Sequence, residues 1–332
     1  KNGNIRKVKN DKIDSKGIAK LGLSKDIPVS QFPAKLVLEL RSLTRKYYDL
    51  TDERSAHINK LKGDLHTVFP QYLDVFCDVT GKTSTMILRQ YGTPDKILRG
   101  HKKTMIEKIS KASRKGLAKA SERYEKLCAA ANAAKTFGCQ IDSIYFNIFL
   151  TLDLVEKLDS ALDSILNRIR QLITFNKNEK FIQQIKLLNT IPGVGFLTAV
   201  TIMCEIGDFS AFRNPKQLFA YFGLDPEVNE SGKFVGTQLH MSKRGSRIAR
   251  RAIFAVALAS IRTKRNGEGI NPYLRKYYEL KSGQKPKMVA IGAVMHKVCN
   301  IVFAVLRDEK AFELRSPEEH CKQYQRPALA AA

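Results

Sequence analysis

Acidic residues are scarce in this 332-residue chain: 32 Asp and Glu face 57 Lys and Arg, giving a formal net charge of +25 and a pI near 9.8. An excess of that size argues against a neutral small-molecule substrate and points to a polyanion, most simply nucleic acid. No C-x-x-C pair occurs among the six cysteines, Cys77, Cys128, Cys139, Cys204, Cys299 and Cys321. Scattered in this way they read as reduced, mostly buried thiols of a cytosolic protein. The six His are equally dispersed, so no Cys/His cluster offers itself to zinc. Strongly apolar stretches such as 288–295 fall far short of the roughly 20 residues of a spanning helix. A signal peptide, an ATP-type phosphate loop and an internal repeat are all missing. The chain opens at Lys1 without Met, consistent with a further piece upstream. What is present is a 43% hydrophobic content, which excludes wholesale disorder, and a mass of 37.4 kDa, which suggests two or three domains.

Periodicity gives a mostly helical chain. A short helix is expected near 11–21, capped by Asn10 or Asp11, with Ile13, Ile18 and Leu21 at roughly helical spacing. Leu36, Leu40, Leu43, Tyr47, Leu50, His57, Leu61, Leu65 and Val68 then recur at threes, fours and sevens, predicting a long helix over 34–72 that Pro70 ends. Several short helices should follow over 73–145. Among them are a start at Thr93-Pro94-Asp95 and a basic surface over 99–120, where eight Lys/Arg meet one Glu. A second long amphipathic helix is expected over 141–188, with Leu150, Leu154, Val155, Leu158, Leu162, Ile165, Ile169, Leu172 and Ile173 as its stripe. Two such helices flanking an insert suggest an antiparallel pair or a coiled coil between chains. Turns and further helices fill 189–315, and the polar, Ala-rich tail from 316 to 332 reads as disordered. The best short strand is 233–235.

Four constellations carry chemistry. In Leu188 to Gly195, an Ile-Pro-Gly-Val-Gly turn leads into an apolar helix. Gly193 and Gly195 allow a tight hairpin whose bare N–H groups approach a phosphate, as in a helix-hairpin-helix element; a plain structural turn is the other reading. In 241–251, Ser246 is an N-cap, and Arg247, Arg250 and Arg251 at i, i+3 and i+4 share a face, after Ser242, Lys243 and Arg244. Ile248, Ala252, Val256 and Ala259 form a different, buried face. That cationic face suits a phosphodiester backbone, although a solvated charged face has the same pattern. Asp11 and Asp14, at i and i+3, can share a divalent metal or simply cap a helix, and alone they underfill a Mg²⁺ shell. Residues 229–233 (Asn-Glu-Ser-Gly-Lys) read as a β-turn in which Ser231 becomes a nucleophile only if a base or metal is brought to it. No local His supplies the base; His240 reads as a packing or capping residue.

Taken in order, these pieces resemble the IS one-ten family of insertion-sequence transposases, in its IS one-one-one-one branch of bridge- or seek-RNA-guided DNA recombinases. The resemblance covers residues 5–310. It rests on Asn10 to Ser15 with Ile18-Ala19, on 191–195, on Phe222-Gly223-Leu224-Asp225-Pro226, on Glu230-Ser231-Gly232 and on 241–251. It implies that 1–33 is the end of a RuvC-like (RNase H-like) α/β domain with a D-E-D-D metal set, of which Asp11 and Asp14 are the last pair. It implies a helical, coiled-coil region over 34–188 with its basic insert at about 73–145, and a transposase domain over 189–315. The family's first Asp and its Glu would precede Lys1, so a chain starting there is expected to be inactive as it stands.

The resemblance further implies that Ser231 is a covalent nucleophile, with Mg²⁺ (or Mn²⁺) on Asp11 and Asp14. Phosphate contacts fall to Gly193, Gly195, Lys233, Ser242, Lys243, Arg244, Arg247, Arg250 and Arg251. Implied partners are donor and target DNA, a structured non-coding guide RNA and further copies of the chain as a dimer or tetramer, with active-site halves from different protomers and no membrane. The expected setting is a prokaryotic cytoplasm, at the nucleoid. Two rival readings stay open: a metal-dependent nuclease or junction resolvase using water, and a non-enzymatic architectural nucleic-acid binder.

Overall fold

A computed structural model describes residues 11–23, 33–137, 139, 141–227, 230–231, 234–235, 240–316 and 318–319. Contacts divide the chain into two units, Lys1–Lys35 and Leu36–Ala332. The described part of the first is one helix, α1 (Asp11–Leu23), with Asp11 and Asp14 in its first turn, where carboxylates complement the helix dipole. Asn10, the alternative cap, lies outside the described residues.

The second unit is carried by the long helix α2 (Lys35–Val68). It ends two residues before Pro70, and none of its nine stripe residues is exposed. Five shorter helices follow: α3 (Tyr72–Val75), α4 (Lys82–Gln90), α5 (Pro94–Arg99), α6 (Lys102–Ser113) and α7 (Leu117–Phe137). Thr93 caps α5 by accepting from the Lys96 amide, with Pro94 in the first turn.

The second long helix is shorter than its pattern predicts. α8 (Asp142–Phe175) stops, Asn176 Nδ2 donates to Leu172 O, and α9 (Lys180–Leu188) begins after a turn. A side-chain amide that satisfies a terminal carbonyl competes with helix continuation, and this breaks the expected 141–188 helix. Leu150 and Leu154, placed on its stripe, are 46% and 43% exposed, whereas Leu152 and Val155 are buried. After α9 come α10 (Phe196–Ile206), a 3-10 turn (Phe209–Ala211) and α11 (Pro215–Tyr221). A two-residue pair β1 (Glu230–Ser231) and β2 (Phe234–Val235) precedes α12 (Arg247–Ser260), α13 (Pro272–Ser282) and α14 (Lys287–Asp308). The expected strand 233–235 is thus β2 starting at Phe234; Lys233 lies outside the described residues.

Two cores form. One gathers Leu40 of α2, Ile169 and Leu172 of α8, and the buried faces of α9 to α14. The other gathers Leu61, Leu65 and Val68 of α2 with Tyr145, Ile148 and Leu152 of α8 and the helices α3 to α7, including Ala130, Ala131 and Ala134. The opposite ends of α2 and α8 therefore meet in each core, so the pair is antiparallel within one chain. Arg54 and Asp159 link the two helices by an ion pair.

α14 is apolar over more of its length than 288–295 and is long and apolar enough to cross a membrane by composition. Val294, Val298, Cys299 and Val302 are nevertheless buried, as the core helix against α9, α11, α12 and α13. The expectation of mostly buried cysteines fails: Cys204 and Cys299 are buried, Cys128 is half-buried, and Cys77 and Cys139 are exposed, all as free thiols. Burial pushes the Cys204 thiol up to about 12. Cys321 and most of the tail expected to be disordered, 317 and 320–332, lie outside the described residues.

Candidate active site and nucleic-acid interface

Backbone bonds join the two chain segments that lead to and from Ser231. The Lys243 amide donates to Gly223 O (3.0 Å), the Ser242 amide to Asp225 O (2.8 Å) and the Glu227 amide to His240 O (2.7 Å). Ser242 Oγ adds a 2.6 Å bond to Asp225 Oδ1. In a separate two-residue run Glu230 pairs with Val235 and Ser231 with Phe234, so Ser231 is the last paired residue before 232–233; residues 228–229 and 236–239, between the two runs, lie outside the described residues. At the base of this hairpin Pro226, Glu227 and His240 are exposed. His240 therefore does not pack as expected; its backbone carbonyl holds the ladder. Gly232 and Lys233 lie outside the described residues.

The root of the ladder is a backbone crossing that only glycine allows. A Cβ on Gly245 would stand 1.9 Å from Tyr221 O, and one on Gly223, at φ +65°, would stand 2.5 Å from the Gly245 nitrogen. Arg250 stitches the crossing, its Nη1 donating to Phe222 O (3.1 Å) and Gly245 O (2.8 Å). That guanidinium, expected on a phosphate, is half-buried and gives its Nη1 to two backbone carbonyls.

Its neighbours are also engaged. Arg251 Nη1 lies 2.7 Å from Asp52 Oδ1 on α2, with its guanidinium 4.8 Å above the Tyr48 ring, and Arg247 reaches the same carboxylate at 3.6 Å. Lys243, in a left-handed conformation at φ 54°, and Arg244 are exposed. Ser246 caps α12 as expected, its Oγ accepting from the Ala249 amide at 3.1 Å. Ala252 and Val256 are buried as expected, while Ile248 and Ala259 are half-buried. A cleft of about 340 Å³ opens at this helix N-terminus, lined by Arg45, Asp49, Ser246, Arg247 and Ile248.

Beneath the cleft lies a carboxylate that sequence reasoning missed. Glu205, 2% exposed on α10, takes two 2.9 Å bonds from Arg45 of α2. Burial pushes its carboxyl up, but the hydrogen bonds from Arg45 and Ser246 and the charges of Arg45 and Arg41 outweigh this and hold it below its ordinary range. Arg41, Arg45, Tyr48 and Asp52, spaced at i, i+4, i+7 and i+11, form a polar seam from α2 onto α10 and α12, with Arg41 Nε donating to Cys204 O at 2.7 Å. The available signals were that spacing and the lone charge in the apolar run 196–206.

The two hairpin glycines separate in role. Gly193, at φ +97°, packs so that a Cβ would meet Ser260 Oγ at 2.5 Å and its backbone nitrogen at 2.9 Å. Gly195 is exposed at the N-terminus of α10, with open space where its Cβ would be.

Residues 185–279 match the family described as "Transposase IS116/IS110/IS902 family", and residues 1–70 match the DEDD transposase family of the IS110 type. Both matches support an IS110/IS116/IS902 family transposase. Named relatives agree. The chain is 23% identical over 286 residues to the "Insertion element IS110 uncharacterized 43.6 kDa protein" of Streptomyces coelicolor, covering 85% of this chain and 66% of that protein. It is 30% identical over 177 residues to the "Pilin gene-inverting protein" of Moraxella bovis, covering 53% and 52%. It is 26% identical over 188 residues to the "Transposase for insertion sequence element IS1111A" of Coxiella burnetii, covering 55% and 50%. The chain thus spans between half and just under two thirds of the length of these three relatives.

The DEDD match suggests a divalent metal. Asp11 and Asp14 are hard oxygen donors suited to Mg²⁺ or Mn²⁺, and both are exposed on the first turn of α1, but a pair leaves most of an octahedral shell to other ligands. Among the described residues no group of three or more His, Cys, Asp or Glu is placed to hold a metal.

Proposed function

We propose that this chain is the recombinase of an insertion sequence, which cuts and rejoins DNA through a phosphoserine on Ser231 at sites chosen by pairing with a structured guide RNA. The observation that carries the reading is the ladder: a glycine crossing, an internally bonded arginine and a Ser242–Asp225 bond hold a hairpin whose last paired residue is Ser231. Such bracing at the base of the hairpin supports a positioned nucleophile over a merely connective loop.

In this chemistry Ser231 Oγ attacks a phosphodiester phosphorus. The bond from phosphorus to one deoxyribose oxygen breaks, the serine proton is lost, and the departing oxygen gains a proton. The phosphoserine keeps the ester energy, and attack by a second strand's hydroxyl reverses the step to rejoin DNA. Asp11 and Asp14 would hold a divalent cation, which in such reactions acidifies a hydroxyl and offsets charge on the phosphodiester. Lys243, Arg244, Arg247 and the amides at Gly195 hold backbone phosphates. The +25 charge exceeds what one short duplex needs and supports an RNA partner recognised through its backbone. Phe146, Leu150 and Leu154, at i, i+4 and i+8 on α8 and 62%, 46% and 43% exposed, support assembly with further copies of the chain.

The test is to incubate the full-length protein, with any residues that precede Lys1, with donor and target DNA, its element's non-coding RNA and Mg²⁺, then denature and look for a DNA–protein adduct. The expected result is an adduct that Ser231→Ala abolishes. Recombination that persists in Ser231→Ala, or strand cutting without any adduct, would overturn the reading in favour of water as the nucleophile.

A further inference from the structure

We propose that the helical insert carries its own docking rail for duplex DNA, formed by Lys111, Arg114, Lys115 and Lys119 where α6 turns into α7. The proposal rests on the recombinase reading for its choice of DNA.

Over 73–145 the insert has 14 Lys/Arg against 7 Asp/Glu. Most of the cations near the turn have partners within the insert: Lys126 pairs with Glu122, and Lys102, Lys108 and Arg123 lie over the rings of Tyr124, Tyr91 and Phe76. Lys111, Arg114, Lys115 and Lys119 differ. All four are exposed, and none makes an ion pair among the described residues. The turn that carries them is braced. Arg114 adopts a left-handed conformation at φ 55°, Ser110 Oγ donates to Lys115 O at 2.8 Å, and the Lys115 amide donates to Ser113 Oγ at 3.3 Å. Beside it is a cleft of about 310 Å³ lined by Lys115, Lys119, Arg123 and Lys126, with Asp74 and Glu122 as its acids. Four like charges held together on a rigid turn repel one another, and a polyanion relieves that cost by releasing its own counterions.

Among the described residues of the insert, the Tyr91 and Tyr124 rings carry a cation and Phe76 is buried, so no open row of rings offers itself to successive unpaired bases and the surface suits the backbone of a duplex. A 34-residue helix such as α2 spans about 50 Å at 1.5 Å per residue, the length of about 15 base pairs at 3.4 Å each. The insert packs on the end of α2 remote from the core of α9 to α14. A flank of about 15 base pairs of DNA is as long as α2, and with the recombinase reading this makes duplex DNA the proposed occupant.

The test measures binding of the full chain to fluorescein-labelled 30-base-pair DNA and RNA duplexes by anisotropy across a KCl series. With Lys111, Arg114, Lys115 and Lys119 all changed to Gln, the log–log salt slope on DNA should fall by roughly 3 to 4, with affinity at 100 mM KCl at least about tenfold weaker. Changing Lys276, Lys285, Lys287 and Lys310 to Gln should alter the slope by less than about 1. A double reversal, Lys115→Glu with Lys119→Glu, should weaken DNA binding further. An unchanged slope, an equal loss in the control set, or a loss confined to RNA would overturn the proposal. The adduct assay separates the two ideas: an adduct with an unchanged slope sinks the rail alone, and a lowered slope with no adduct sinks the phosphoserine alone.

Discussion

Removing the Arg45 guanidinium should destabilise the protein in a way that depends on pH. Breaking a buried ion pair costs about 3–5 kcal/mol because the surviving charge stays desolvated. Glu205 is 2% exposed, but Arg45 is 51% exposed and the Ser246 hydroxyl still faces the carboxylate, so Arg45→Ala should cost about 2 kcal/mol at pH 7. In the wild type the Glu205 carboxyl titrates below its ordinary value of 4.5, so its stabilisation is complete above that pH and is lost as pH falls through the lower, folded value. In Arg45→Ala burial dominates and lifts the carboxyl above 4.5. The variant therefore gains stability as pH falls from 7 towards 4.5, and the gap between the two proteins narrows. Urea unfolding of both at pH 7, 6, 5 and 4.5, together with Glu205→Gln and the double variant, reads this directly. A gap that stays constant with pH, or single-variant losses that simply add, would refute the account of Glu205 as a charge held down by Arg45.

Gly245→Ala forces backbone atoms apart at the crossing beneath the hairpin and should cost about 2–3 kcal/mol while suppressing the adduct; an unchanged thermal midpoint would count against the crossing as the root of the ladder. Gly193→Ala should lower the melting temperature, whereas Gly195→Ala should leave it unchanged and weaken DNA binding; similar melting losses in both would end the division of roles. Asp52→Asn frees Arg247 and Arg251, and since exposed pairs are worth about 0.2–1 kcal/mol, DNA affinity at 100 mM KCl should rise about two- to fivefold. Affinity that fails to rise would show that these arginines do not face DNA.

Where a pattern reports burial, the sequence was readable. The stripe of α2 follows from its apolar spacing and Pro70, and the α5 and α12 caps from Thr93 and Ser246. Periodicity carried α8 past its true end because Asn176, whose amide closes the helix, looks like any polar residue in a stripe. Leu150 and Leu154 obeyed the spacing and are exposed, since period alone does not say whether a partner is present. The arginines of α12 were legible as one face, but not that Arg250 would meet two carbonyls from a crossing loop, or that Asp52, 195 positions before Arg247, would meet Arg247 and Arg251. Contacts between distant segments leave no local period, and Glu205 stayed hidden for the same reason.

Each of the two rods has one end sunk in each of the two cores, and this makes the spacing between the cores a matter of counting residues. Adding or deleting a whole heptad in α2 and α8 together would lengthen or shorten that spacing by about 10 Å while keeping both seams in phase. A change of two residues would rotate one core against the other by more than half a turn. The antiparallel pair is thus a ruler with a built-in protractor, and insertions in this part of the chain should be tolerated in steps rather than continuously.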